Sequence, residues 1–192
     1  MMRLLDLRGM NITRENAPSF VPRATRGAAE VDASVAELIK RVRSDGLAAL
    51  QEQALRFDNV ADLVVEVSAK ELRAAGKNLD RAISAALDEA IRRVRVASED
   101  SLPRSSRTEY QTGGVVSTRY VPIDRAGVYI PGGKAVYPSS VVMNVVAAQA
   151  AGVKDIVLVS PPQADFGGRI HPSILGAAHM LGITEVYAMG GA

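Results

Sequence analysis

The chain has 192 residues, enough for one large domain or two small ones, and its 47% hydrophobic content can supply a core. Net charge is +2 with acids and bases interspersed, and no apolar run approaches the roughly eighteen residues of a membrane span, so neither nucleic acid nor membrane is an expected partner. With no cysteine, disulfides, thiolate metal sites and cysteine nucleophiles are excluded within this chain.

The opening MMRLLDLRGMNITREN is broken by charges before a signal-peptide core can form, so the expected location is the cytoplasm. Apolar residues then recur at helical spacing: Val31, Val35, Leu38, Ile39 and Val42, followed by Leu47, Leu50, Ala54 and Leu55, with Gly46 as the stop between two helices. Leu63 to Val67 is a candidate strand. Ser68, with Glu71 three residues on, has the capping-box pattern of a short helix, and Asp80 is placed to cap a longer one through Ile83, Leu87, Ile91 and Val94 to about Ala97. The basic cluster Arg92, Arg93 and Arg95 is interleaved with Asp88, Glu89, Glu99 and Asp100 and has no aromatic platform, which makes it a solvated helix face rather than a phosphate-binding patch. Pro103 and the polar SLPRSSR stretch end this region.

A different regime starts near Thr108. Glu109-Tyr110-Gln111 and Val115 to Val121, separated by Thr112-Gly113-Gly114, predict a β-hairpin. Strand Ala126–Ile130, helix Ser139–Ala151 closed by Gly152, strand Asp155–Ser160, helix Pro172–Leu181 closed by Gly182 and strand Glu185–Met189 follow. Strands apolar along their whole length, alternating with helices, indicate a parallel sheet. The predicted fold class is therefore α/β, with a mainly helical region at 1–107 and a Rossmann-like parallel βαβαβ unit at 108–192, incomplete at its carboxyl end.

In such sheets ligands lie beyond the carboxyl ends of the strands. Three loops there are unusual: Pro131-Gly132-Gly133, Ser160-Pro161-Pro162 and Gly190-Gly191. Small residues and prolines leave a shallow apolar shelf suited to a nucleotide or a flat ring. The glycines match neither the G-x-G-x-x-G fingerprint nor a P-loop, although Lys134 follows them, so a plain strand-to-helix turn is the competing reading.

Candidates for chemistry are few. His171 and His179 are eight residues apart, about 12 Å along one helix, too far to share a metal, and each is expected to be structural. Asp155 is expected to bond loop backbone, and Ser139 and Ser140 to cap a helix rather than act as nucleophiles. Tyr129, at the end of the first parallel strand, either stacks on a planar ligand or packs its ring beneath the loop.

The run PIDRAGVYIPGGKAVYPSSVVMNVVAAQAAGVKDIVLVSPP, followed by Ile183 to Ala192, ITEVYAMGGA, resembles the amino-terminal half of histidinol dehydrogenase, and Arg56-Phe57-Asp58 resembles an element of the same family. The resemblance implies a zinc- and NAD-dependent enzyme of histidine biosynthesis, a homodimer that oxidises L-histidinol to L-histidine via histidinaldehyde. Tyr129 matches the family's NAD-contacting tyrosine, and Pro131, Pro161 and Phe57 match positions that flank the adenosine end. In that family the zinc ligands, the catalytic acid–base pair and most histidinol contacts lie in the later half of the chain. The expectation is thus a partial chain with no catalytic or metal residue of its own, inactive in isolation and prone to associate. The alternative is a stand-alone α/β nucleotide-binding or structural module without catalysis.

Overall fold

The structure is a computed structural model that describes residues 5–20, 28–132 and 135–190. The chain divides into two compact units, Met1–Lys40 and Arg41–Ala192. The first contains α1 (Ala17–Phe20) and most of α2 (Ala28–Asp45). The turn into α1 is held reciprocally: Asn16 Oδ1 accepts from the Thr13 N–H at 2.7 Å, and Thr13 Oγ1 accepts from the Asn16 N–H at 3.3 Å.

The second unit opens with α3 (Leu47–Asp58), entered through Gly46 at φ 57° and left through Asn59 at φ 56°, both in the left-handed region. Next come α4 (Ala69–Lys77) and α5 (Arg81–Asp100). Their starts follow the local chemistry of the sequence. Ser68 Oγ accepts from the Glu71 N–H at 3.2 Å, and Asp80 Oδ1 accepts from the N–H groups of Ala82 and Ile83 at 2.8 and 3.1 Å. The basic cluster on α5 is a solvated face: Arg92 and Arg93 both pair with Glu89, and Arg95 donates to Gln149 Oε1 at 2.8 Å.

Two antiparallel strands, β1 (Ser106–Glu109) and β2 (Val115–Thr118), form the hairpin. It begins three residues earlier than predicted, so Tyr110 and Gln111 belong to the turn, and β2 stops short of Val121. Every residue of both strands is exposed. No alternation of buried and exposed positions was therefore available to fix the register from sequence.

The parallel sheet consists of β3 (Arg125–Tyr129), β4 (Asp155–Ser160) and β5 (Glu185–Ala188), in chain order, connected by α6 (Pro138–Ala150) and α7 (Pro172–Met180). Monotonic strand order with right-handed crossovers puts both helices on one face. The two touch each other, α5 packs on α6 and α4 packs on α7, giving a second helical layer. Val141, Val142, Val145 and Val146 of α6 and Ile174, Leu175, Ala177 and Ala178 of α7 are all buried between these layers. Leu63–Val67 is not a full strand. Its end lies antiparallel beside β5 through a Glu66–Tyr187 bridge, with the Val67 N–H donating to the Val186 carbonyl at 3.0 Å and the Ala188 N–H to the Val65 carbonyl at 2.6 Å.

Two other expectations are corrected. α6 starts at Pro138 with Tyr137 at the cap position and no side-chain cap bond, so Ser139 and Ser140 sit inside the first turn instead of capping it. Proline at the first helical position already supplies the required φ and removes one orphan donor. Asp155 does not hold loop backbone; its carboxylate accepts from Arg125 Nη1 at 2.8 Å, and Arg125 Nη2 reaches Glu185 at 2.6 Å. One guanidinium thus spans the amino ends of all three parallel strands, and the paired carboxylates hold it above its ordinary value.

Candidate functional site

Strand alternation assigns the carboxyl edge of the sheet. Val128 and Ile130, Leu158 and Ser160, and Val186 and Ala188 point toward the helical layers and are buried. Tyr129, Val159 and Tyr187 form the neighbouring row on the opposite face. Tyr129 is 46% exposed there, which leaves ring surface available to a ligand. The Tyr187 hydroxyl is engaged, donating to Glu185 Oε1 at 2.7 Å.

The loops beyond β3 and β4 meet. A Cβ built on Gly132 would stand 2.6 Å from Pro161 Cγ and 3.2 Å from Gln163 Nε2. Only glycine permits that approach, which answers part of what the Pro131-Gly132-Gly133 elbow is for. Gly133 and Lys134 lie outside the described residues. Pro161 and Pro162 are buried and Pro131 is exposed, so the shelf has a rigid floor and an open lip.

At the β5 side of the sheet the nearest candidate from the sequence is Phe57. It is the penultimate residue of α3, and the next residue, Asp58, places Oδ2 3.2 Å from where a Gly190 Cβ would be, beyond β5. Phe57 is 57% exposed and lies under the Arg56 guanidinium, 4.9 Å from ring centroid to Cζ. Burial pushes the Asp58 carboxyl above its ordinary value. The structure therefore brings Gly132 and Pro161 into contact, puts Tyr129 on the strand leading to them, and sets Asp58, the neighbour of Phe57, beside Gly190 beyond β5.

Sequence reasoning placed Ser160 in an edge loop without foreseeing its burial, and it missed Gln163. Ser160 is fully buried in a row with Ile130 and Ala188, and its Oγ has no hydrogen-bond partner among the described residues; Gln163 Nε2 is likewise sealed and unpartnered. A serine directly after the apolar run Ile156–Val159 was the available signal for the first. The second depends on a contact between loops that no local pattern reveals.

A different hollow of about 550 Å³ lies between α4 and the start of α7, lined by Glu71, Leu79, Phe166, Arg169 and His171 among others. Several of its polar groups are already engaged. Arg169 Nη1 bonds Glu71 at 2.7 Å, and His171 Nδ1 caps α7 by accepting from the Ser173 N–H at 3.1 Å. Unmet hydrogen-bonding capacity is found at the sheet edge, which favours that edge as the site. Among the described residues no three His, Asp or Glu side chains are grouped to hold a metal ion. His171 is a helix cap, and the His179 ring packs on Gly76.

Fold and edge loops define a parallel α/β protein with its candidate site at the strands' carboxyl ends. The family model described as histidinol dehydrogenase matches residues 21–192, and the chain belongs to that family. Histidinol dehydrogenases of Leifsonia xyli subsp. xyli and Thermobifida fusca are 51% identical over 191 residues and 50% identical over 188. Those alignments take in 100% and 98% of this chain but 44% and 42% of the relatives. A crystal structure of histidinol dehydrogenase from Elizabethkingia anophelis is similar with a TM-score of 0.80 at 27% identity, over 94% of this chain and 41% of that one. The chain spans less than half the length of the curated relatives it matches.

Proposed function

We propose that this chain supplies the NAD-binding shelf of a histidinol dehydrogenase, the enzyme of histidine biosynthesis that oxidises L-histidinol to L-histidine via histidinaldehyde. The observation that carries the proposal is the close approach of Gly132 to Pro161 at the carboxyl ends of β3 and β4, with Tyr129 on the strand that leads to it. NAD fits what the edge offers. Gly132 brings bare backbone to the shelf, and among the described residues the first turn of α6 has no side-chain cap where negative charge is favoured. In this reading Tyr129 and Phe57 offer ring faces to the planar part of the cofactor, while the two prolines hold the shelf rigid and exclude water at low entropic cost. Bound NAD supplies the hydride acceptor.

Zinc does not fit the described residues, whose donors are dispersed, and no step is derived through it. The acid–base and metal chemistry of the reaction belongs, in this reading, to the part of the longer family members that this chain does not span. The assembly is a homodimer acting in the cytoplasm, and the 192-residue chain alone produces no NADH from histidinol.

The test is a titration of the purified chain with NAD, read by tyrosine fluorescence. NAD is expected to quench or shift the signal saturably, and Tyr129→Ala to abolish the change while the circular dichroism spectrum stays that of the parent. An identical response in Tyr129→Ala would overturn the assignment of the shelf.

A further inference from the structure

The hollow of about 550 Å³ between α4 and the start of α7 falls within the size range of small-molecule sites. Its floor is apolar: Ile170 and Leu175 are almost fully buried, and Ala75 and Leu79 pack against the same core. Phe166 forms a wall that is 39% exposed, with its ring edge-on to His171. The Arg169 N–H donates to the Phe166 carbonyl at 3.2 Å, and the Arg169 carbonyl accepts from the Gln163 N–H at 3.0 Å, so the loop that presents these two side chains is fixed by its own backbone. Groups of both charges stand around the apolar floor and keep bonding capacity. Asp80 caps α5 through Oδ1, and its second oxygen accepts from nothing among the described residues. Arg169 uses Nη1 for Glu71, while its Nη2 and Nε donate to nothing among the described residues. Because His171 Nδ1 accepts from the Ser173 N–H, the neutral ring carries its proton on Nε2, which is a further donor into this lining.

We propose that this hollow binds a free α-amino acid with a ring or branched apolar side chain. A ligand of one sign would leave either the carboxylate or the guanidinium unmatched, whereas a zwitterion answers both. Its ammonium pairs with Asp80, and its carboxylate pairs with Arg169 and the His171 Nε2–H. Charge-assisted bonds at both ends fix the orientation. The side chain then lies on the apolar floor beside Phe166, and burial of that area selects against short side chains. The inference is independent of the NAD shelf, since none of Tyr129, Pro131, Pro161 and Phe57 lines the hollow.

The experiment is an isothermal titration of the 192-residue chain with L-phenylalanine, set beside glycine, N-acetyl-L-phenylalanine and L-phenylalanine amide. L-phenylalanine is expected to bind saturably. Each of the other three is expected to bind at least roughly tenfold more weakly, the effect of losing the buried ring or one hydrogen bond to a charged group. Asp80→Asn keeps a capping oxygen for α5 and the same shape, so it is expected to lose a similar factor while its unfolding midpoint stays near the parent's. Ala74→Leu lies in the lining at an exposed position of α4, fills part of the hollow without changing a polar group, and is expected to weaken binding by a similar factor. If the parent does not bind L-phenylalanine, or binds glycine or either blocked analogue as well, the proposal is overturned. If a folded Asp80→Asn or Ala74→Leu variant binds L-phenylalanine as the parent does, the ligand sits elsewhere and the assignment of this hollow is overturned.

Discussion

His171 shows how one residue couples chemistry to stability. Its Nδ1 accepts from the Ser173 N–H at 3.1 Å, so the cap of α7 needs an unprotonated nitrogen at that position. Burial lowers its pKa below the ordinary 6.5, and the ring stands edge-on to Phe166 with centroids 4.5 Å apart. A base whose folded value is depressed contributes stability that is complete above its unfolded value and is lost as pH falls toward the folded one. Thermal stability should therefore fall on acidification from about 6.5 downward. His171→Asn keeps a capping oxygen without a titration. Its unfolding temperature is expected to lie near the parent's at pH 7.5 and above it at pH 5.5. Parallel curves for the two proteins across that range would remove His171 as the cause.

Where α4 crosses α7, glycine sets the distance between elements. A Cβ on Gly76 would fall 2.0 Å from His179 Cδ2 and 2.7 Å from its Cγ, whereas one on Gly176 would meet the far end of Leu79 at 3.0 Å. The histidine ring cannot be cleared by turning its tip alone, while a leucine methyl can give. Gly76→Ala is expected to cost about 1–3 kcal/mol by overpacking, and Gly176→Ala markedly less, both measured by urea unfolding. Equal losses would mean that the crossing yields as a whole. Glycine's role here was not legible in the sequence because it depends on a partner helix about a hundred residues away. Local chemistry was legible: Ser68 and Asp80 cap as their spacing indicates, and β4 occupies the predicted Asp155–Ser160. The hairpin's boundaries slipped, and Leu63–Val67 proved to be a bridged segment, because strand identity depends on pairing with residues distant in sequence.

At the scale of the whole molecule, the parallel sheet was legible from the apolar strands alone, whereas the approach of the α3 end at Asp58 to Gly190 joins residues more than a hundred apart and had no local signal. What the sequence showed only indirectly is the apolar surface left without cover. Val115, Val116, Tyr120, Val121 and Ile123 are between 47% and 75% exposed, and the last three also line a hollow of about 510 Å³ with Leu102 and Pro103. A two-stranded hairpin with both faces in water is marginal by itself, and a clustered apolar surface of this kind favours association. The 192-residue chain should therefore show a mass by light scattering that rises with concentration in the micromolar range. Replacing Val116 and Val121 together by lysine places charge on that surface at sites with no buried contacts to lose. The double variant is expected to shift toward monomer while keeping the parent's unfolding midpoint, since the core of α6, α7 and the parallel sheet is untouched. If the parent is already monomeric at all concentrations, this surface does not drive association. If the variant associates as the parent does, the contact lies elsewhere on the molecule.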